Sequence, residues 1–514
     1  METNKLTSRR DFVRLTALGA AGAAVLAACG APATPTAAPA KPTEAPKAPA
    51  AAPTTAPAAA APTTAPAAAA PTSAPAKPTE APKPTAAAAQ PTAKPGATPS
   101  GFATKYTAPD LAVPAGYKAA TGKLEIFSWW TSGGEVEALN FLYGDFKKLN
   151  PNCEIVNSAI TGGTASGGNM KAVLQTRMMG GDPPESFQIH LGHELIDNHV
   201  VAGRMEPLDT FYKDWGLDKV FPKGVIDIAS YQGKPYSIPV NIHRANVMWY
   251  NLKMFDDIKS EPPKTWDEFF VVAEKFKAKN QPTLAIAETG PGFYAHVVET
   301  MLIATLGPDK YRGLFTGQTK WDDAGVKQAL EIAVKAINYA NPDYLSVSWG
   351  DVNDLMVNAK VAMIIQGDWT PGVLWSKGFT GFGFAPAPGN AGVYDMLSDS
   401  FGLPKGVKNR DAAINWLQVC GSKHGQEGFN FYKGSIPART DCDMSQYTEY
   451  HKSAAKDWTD PKTQIVPSIV HGAAAKDSFN VDYQTAINVL ASKKDVAACQ
   501  AALVKAANDA KFSM

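Results

Sequence analysis

The chain has 514 residues, 45% of them hydrophobic and 19% charged, and its 49 Lys and Arg against 48 Asp and Glu leave a formal net charge of +1. A balance that close offers no basic stripe for nucleic acid. A chain this long also exceeds what one core supports, so at least two lobes are expected.

The N-terminus reads SRRDFVRLTALGAAGAAVLAACG over 8–30. A basic cluster leads into a short apolar run of small residues, the pattern of an export signal rather than of a membrane span. Arg9-Arg10 with Asp11-Phe12 resembles the twin-arginine signal, and Leu26-Ala27-Ala28-Cys29 resembles a bacterial lipobox, whose cysteine is acylated. Residues 1–29 are therefore expected to be a twin-arginine-type lipoprotein signal. Cys29 would be the lipid anchor and the protein's only hold on the membrane, placing it in the cell envelope outside the cytoplasm.

Residues 31–100 are almost entirely Ala, Pro, Thr and Lys, with PTTAPAAAA at 53–61 repeated at 62–70. Such a stretch has no large apolar side chain whose burial would offset the entropy of ordering. We expect a disordered, semi-rigid tether over 30–110, its Thr-rich composition permitting O-glycosylation. At about 3.1 Å per residue in polyproline II it would reach on the order of 200 Å. Five Lys and two Glu in this stretch contribute +3, so the remainder of the chain is slightly acidic.

Folding is expected from residue 122. LEIFSWWTSGGE (124–135) reads as a strand ending in Trp129 and Trp130, then a flexible turn and Glu135. Successive strand side chains point to opposite faces, so both rings cannot serve one core. The spacing predicts a helix over 135–151, a strand over 153–160, a helix over 169–179 and a strand SFQIH over 186–190. This βαβαβ rhythm implies a parallel sheet covered by helices, with ligands beyond the carboxyl ends of the strands. The loop TGGTASGGN (161–169) lacks the ending of a P-loop. It reads either as a strand–helix turn capped by Asn169 or Ser166, or as a weak anion site. Besides Cys29 there are four cysteines, and the short separation favours a Cys420–Cys442 disulfide, with Cys153 and Cys499 remaining. No CxxC or HExxH spacing is present, so neither metal nor cofactor is expected.

Five stretches then carry a resemblance: PVNIHRANVMWYN (239–251), KTWDEF (264–269), AMIIQGDW (362–369), MLSDSFGLPKG (396–406) and KGSIPAR (433–439). Their order from about 122 to the C-terminus resembles the family 1 extracellular solute-binding proteins of bacterial sugar ABC importers. With SWW, GGDPPESFQIH and SIVHG, the chain is most similar to the glucose, galactose and mannose binders of that family. The resemblance implies a two-lobed α/β fold of the periplasmic-binding-protein type, the lobes discontinuous and joined by a hinge crossed more than once. We place crossings near 239–244, near 398–403 and around 450. The N-terminal lobe would comprise 122–240 and 400–450, and the C-terminal lobe 241–399 and 451–514. AAINWLQVCGSKHGQEGF (412–429) fits one of the family's helical additions. The implied function is capture of a neutral monosaccharide and its delivery to membrane permease subunits, by a monomer and without catalysis.

Sugar chemistry points to the same residue types. A pyranose has C–H patches that aromatic rings cover and a rim of hydroxyls that carboxylates, amides, His and Lys serve. At strand ends this selects Trp129, Trp130 and Glu135, the last of which also suits a first-turn helix acid. Gln188 and His190 share one strand face at i and i+2, while His193 reads as a surface residue. At the proposed hinge lie Asn241, His243 as a sugar ligand, and Arg244, which suits a bridge between lobes. Asp368 and Trp369 repeat the acid-plus-indole pairing, and Asp368 is the strongest single candidate. Asp399 suits either a pair of hydroxyls or a helix cap. Lys433 and His471 enter through the resemblance, at its KGSI and VHG motifs. One departure stands out: relatives carry a tryptophan near Val298, where this chain has none, leaving Phe293 or Tyr294 as substitutes. Two alternatives remain open. One is the same fold holding an oligosaccharide, a polyol or a sugar phosphate. The other is an exported glycoside hydrolase, which needs two carboxyl groups at a set separation.

Overall fold

In a computed structural model of the chain, residues 105–160 and 167–512 are described. The signal, Cys29, nearly all of the tether and the loop 161–166 lie outside the described residues. Among the described residues no helix is long and apolar enough to cross a membrane.

The first five elements form where the sequence periodicity places them: β1 (Gly122–Phe127), α1 (Gly133–Leu149), β2 (Cys153–Asn157), α2 (Gly168–Gly180) and β3 (Ser186–His190). β1 pairs in parallel with both β2 and β3. The helix α2 is not capped by Asn169: its N-cap is Gly167 in the left-handed region, and Ser166 lies outside the described residues. Arg177 of α2 reaches back to β1 and grips Glu125 with two nitrogens at 2.7 and 2.8 Å, holding the carboxyl below its usual range. Such a fork-to-fork pair fixes the helix on its sheet better than a single bond would.

Further along come β4 (Ser237–Pro239), β5 (His243–Arg244), β6 (Val247–Asn251), the long kinked helix α3 (Phe293–Gly313) and β7 (Met363–Ile365). They are followed by α4 (Thr370–Ser376), β8 (Phe382–Pro386), β9 (Val393–Leu397) and β10 (Asp399–Gly402). Helices α5 (Arg410–Gly421), α6 (Lys423–Lys433) and α7 (Glu449–Thr459) and strand β11 (Gln464–Pro467) complete the part that builds the site. The first sheet runs β2-β1-β3-β10-β4, and two three-stranded sheets run β8-β6-β7 and β11-β9-β5. The first sheet is mixed rather than parallel throughout, because β10 returns antiparallel to β3 and to β4. That pairing sets His190 directly opposite Asp399 and Gln188 opposite Phe401.

The chain passes between sheets at short, adjacent segments. β4 belongs to the first sheet and β5 to another, so one passage spans residues 240–242; Ser398 alone separates β9 from β10. Asp399 N donates to Asn241 Oδ1 at 2.7 Å and Ser398 Oγ to Asn241 O at 2.7 Å, clamping these two strands together. A third segment joins them at Ile436, which forms an antiparallel bridge with Ile242. It lies ahead of residue 450, where Tyr450 already packs on Trp249 of β6 at 4.8 Å.

Three expectations change. The stretch 412–429 is two helices, α5 and α6, broken at Ser422, whose Oγ caps Gly425 N at 2.9 Å. Cys153, Cys420, Cys442 and Cys499 are all free thiols, so the Cys420–Cys442 disulfide is absent. Cys420 is buried within α5, whereas Cys442 is only partly covered, in the loop beyond α6. Finally, the fold starts well before residue 122. Tyr106 is buried against Phe141 and Phe431, Asn415 Nδ2 holds Lys118 O at 2.9 Å, and Asn150 Oδ1 accepts from Ala120 N at 2.8 Å. One buried aromatic anchor contributes several kcal/mol, of which about 3 are lost on truncation. Tyr106→Ala should therefore make Lys118 at least about tenfold more susceptible to limited trypsin digestion. Sugar affinity should not change.

Candidate ligand-binding site

A cavity of about 360 Å³ opens beyond the carboxyl ends of β1 and β3, beside the passages between sheets. Its wall includes Trp129, Glu135, His190, His243, Trp369, Asp399, Lys433 and His471, eight of the eleven residues selected from sequence.

The other three lie behind the wall. The pleat separates the two opening tryptophans: Trp129 faces the cavity and stands over His190 at 5.0 Å, while Trp130 is 1% exposed, packed against Phe429 and Phe401. Trp130 is thus a core residue. Gln188 is buried and bonds two wall residues instead of a ligand: its Nε2 donates to Asp399 Oδ1 at 3.0 Å and its Oε1 accepts from Trp129 N at 3.2 Å. Asp368, the strongest candidate from sequence, is fully buried, because three groups of the protein occupy it. Tyr450 Oη and Arg244 N each donate to Oδ2 at 3.0 Å, and His243 Nδ1 meets Oδ1 in a short contact.

Each wall residue is held by a named neighbour. Glu135 sits in the first turn of α1 and is also paired across to α6, where Lys433 Nζ lies 2.7 Å from its Oε1. The two helices come this close only because residue 134 is glycine. An added Cβ there would lie 2.4 Å from Tyr432 O and 2.8 Å from Gly372 Cα of α4. Lys433 Nζ also sits 5.9 Å from the Trp369 ring, within reach of a cation–π attraction. Gly167 performs a similar service for Trp129, since a Cβ at 167 would be 2.5 Å from the indole. On the rim, Lys171 lies over the same ring at 5.2 Å and pairs with Glu194 at 2.6 Å. Burial raises the pKa of Glu194, but Lys171 and His190 outweigh it and bring it to about 2. Arg244 bridges to Asp457 at 2.6 Å.

The electrostatics leave the cavity with a charged acceptor at Asp399 and a neutral imidazole at His471. Burial opposes the charge on Asp399, yet His243, 3.3 Å away, and the charges of Lys433 and His190 hold its carboxyl well below the usual range. Burial, with His190, His296, Lys171 and His243 nearby, keeps His471 well below its ordinary value and so neutral.

Among the wall residues that the sequence reading did not select are two ring side chains, and Asp351 beside one of them. His296 of α3 lines the cavity, with Nε2 against Ala245 O at 3.0 Å and Nδ1 unpartnered among the described residues. Burial lowers its pKa to about 4. The Nε2–H bond to a carbonyl leaves Nδ1 as a free acceptor. Trp349, on the loop before Asp351, supplies the second aromatic wall, 6.3 Å from Trp369 with the rings 33° apart. Phe293 and Tyr294 are buried in α3 and do not take that place. The quartet Ser348-Trp349-Gly350-Asp351 repeats the opening combination of serine, indole, glycine and acid, a signal that could have found it. Among the described residues no cluster of His, Cys, Asp and Glu could hold a metal ion.

The profile of the bacterial extracellular solute-binding proteins matches residues 130–427. An uncharacterized ABC transporter extracellular-binding protein of Pyrococcus horikoshii is 36% identical over 379 residues, covering 73% of this chain and 85% of that protein. A probable sugar-binding periplasmic protein of Rhizobium meliloti is 28% identical, covering 73% and 90%. Two solved structures share the two-lobed fold. The solute receptor AcbH, described as exclusive for β-D-galactopyranose, has a TM-score of 0.66 at 17% identity over 76% of this chain and 98% of its own. A chitin oligosaccharide binding protein has a TM-score of 0.64 at 19% identity over 75% and 98%. The chain belongs to the bacterial extracellular solute-binding proteins. It is an extracytoplasmic binding protein, not an enzyme.

Proposed function

We propose that this protein captures a neutral monosaccharide, a glucose-like hexose, and delivers it to the permease subunits of an ABC importer. The observation that carries this reading is the cavity, about 360 Å³ with indoles from three separate segments and carboxylates at its rim. It lies near the lower end of the ~300–1,000 Å³ typical of small-ligand sites, a size that suits one pyranose better than a chain of them. Trp129, Trp349 and Trp369 offer faces for C–H patches, and Asp399, Glu135, Lys433, His190, His296 and His471 offer hydroxyl partners. Among the described wall residues the three carboxylates Glu135, Asp351 and Asp399 outnumber the one lysine, Lys433, so no surplus of positive charge awaits a phosphate.

Capture would proceed by hinge closure. The described conformation already has segments meeting beside the cavity: His193 N donates to Gly472 O at 2.9 Å, and Asn198 Nδ2 to Asp477 Oδ2 at 3.0 Å. These contacts, with the approach of Gly134 to Gly372, must part to admit a ligand. Closure excludes water and so strengthens charged hydrogen bonds to hydroxyls. The lobes divide as the sheets do, and the protein acts as a monomer anchored through Cys29 after twin-arginine export. The alternatives are a polyol, which the same volume would hold, and an oligosaccharide, which would need the cavity to open at one end.

A thermal-shift panel tests the reading, with glucose, galactose, mannose, xylose, maltose and glucose 6-phosphate as probes. A ligand at about 100 times its dissociation constant adds ~2.7 kcal/mol to the folded state. One neutral monosaccharide should raise the melting temperature more than maltose or glucose 6-phosphate. A larger rise with maltose would turn the reading to oligosaccharides.

A further inference from the structure

Asp368 is fully buried and touches no part of the cavity, yet it ends a chain of contacts that reaches it. Its Oδ1 meets His243 Nδ1, and the other ring nitrogen of His243 lies 3.3 Å from Asp399 Oδ2. Asp399 stands in the cavity wall. Its Oδ1 accepts from Gln188 Nε2 at 3.0 Å and its Oδ2 from Asn241 Nδ2 at 2.9 Å, so three protein groups converge on the carboxyl that faces the ligand.

His243 Nε2 faces Asp399 without being aligned for a hydrogen bond, so this contact is one of charge, and a ring set between two carboxylates in this way is favoured as the imidazolium, with a proton on both nitrogens. The groups facing His243 come from several elements. Asp368 follows β7, Asp399 begins β10 and Lys433 ends α6; the Trp369 ring lies 5.2 Å away, edge-on. Burial disfavours the charged ring and Lys433 repels it, but the charge and hydrogen bond of Asp368 prevail, with Asp399 adding to them, raising the pKa of His243. Tyr450 Oη from α7 and the backbone N of Arg244 hold Asp368 from its other side.

We propose that Asp368 and His243 are positioning residues for ligand binding: Asp368 fixes the His243 ring and its charge so that protonated Nε2 faces Asp399 and holds that carboxylate towards the cavity. The proposal rests on the reading that Asp399 contacts the ligand. It gives the buried acid of the QGDW motif a role one residue removed from the one expected of it.

The test compares the wild-type protein with Asp368→Asn and Asp399→Asn. Asparagine keeps the shape and an acceptor for His243 Nδ1–H, but a neutral ring then presents a lone pair to Asp399. Two readouts follow pH between about 6 and 8, the window in which an ordinary imidazole titrates. One is the His243 ring resonance by NMR, and the other is calorimetric affinity for D-glucose, D-galactose, D-mannose and D-xylose. In the wild type His243 should stay charged and affinity stay level. In Asp368→Asn the ring should lose its proton within the window, and affinity should fall about tenfold as pH rises through it and recover on acidification. Asp399→Asn should lose affinity at every pH. Identical His243 titration in wild type and Asp368→Asn would overturn the proposal, as would level, undiminished affinity in that variant. Unchanged affinity in Asp399→Asn would instead overturn the reading of the site, and the NMR comparison would still judge the Asp368–His243 link.

Discussion

Replacing Asp399 with alanine should weaken sugar binding more than a hundredfold, about 3 kcal/mol, the scale of truncating a central, desolvated contact. The site loses a charged acceptor for hydroxyls, Gln188 Nε2 and Asn241 Nδ2 are left without their acceptor in a buried place, and the His243 ring loses the charge beside it. Orphaned buried donors carry their own penalty of ~1–3 kcal/mol each, so the melting temperature should fall as well. Affinity and stability are separable by calorimetry well below the new melting point. A change in affinity of less than twofold would place the ligand elsewhere.

The second large effect concerns the aromatic walls. Trp349→Ala should cost about 2 kcal/mol of binding, near thirtyfold, because it removes one face of the slot shared with Trp369. Trp349 is half-buried on a loop, so the fold should hold, and urea denaturation should show little change. Trp130→Ala makes the opposite pattern. It empties a core position between Phe401 and Phe429, and should destabilise the protein by ~3–5 kcal/mol. If both variants lost binding and stability in parallel, the division of the two tryptophan types drawn here would not stand.

Much of this was legible in the sequence because the first five elements are local. Alternation and helical spacing place β1, α1, β2, α2 and β3 within a few residues of their observed bounds. The pleat argument also requires that Trp129 and Trp130 part company, although it cannot say which ring turns inward. That choice is made by Phe429 and Phe401, almost three hundred residues away. Asp368 fails as a wall residue for a related reason: its partners His243 and Tyr450 arrive from distant segments. Strands as short as His243–Arg244 have no periodicity to read, so the passages between sheets were visible only through the family resemblance. His296 lies on a helix whose apolar run gives no sign of a ligand, and Trp349 lies in a loop outside every stretch that carries the resemblance. The start of the fold was missed because residues 105–121 are rich in small and polar side chains, and Tyr106 alone gave little sign of an anchor.

The measurement that bears most directly on the central claim is calorimetric titration of residues 102–514, unfolded and refolded to remove any bound ligand. The probes are glucose, galactose, mannose and xylose, with maltose and glucose 6-phosphate beside them. One-to-one binding of a neutral monosaccharide, with the sugar recovered unchanged, is the predicted result. Heat only from maltose or from the phosphate, or a product accumulating with time, would contradict it.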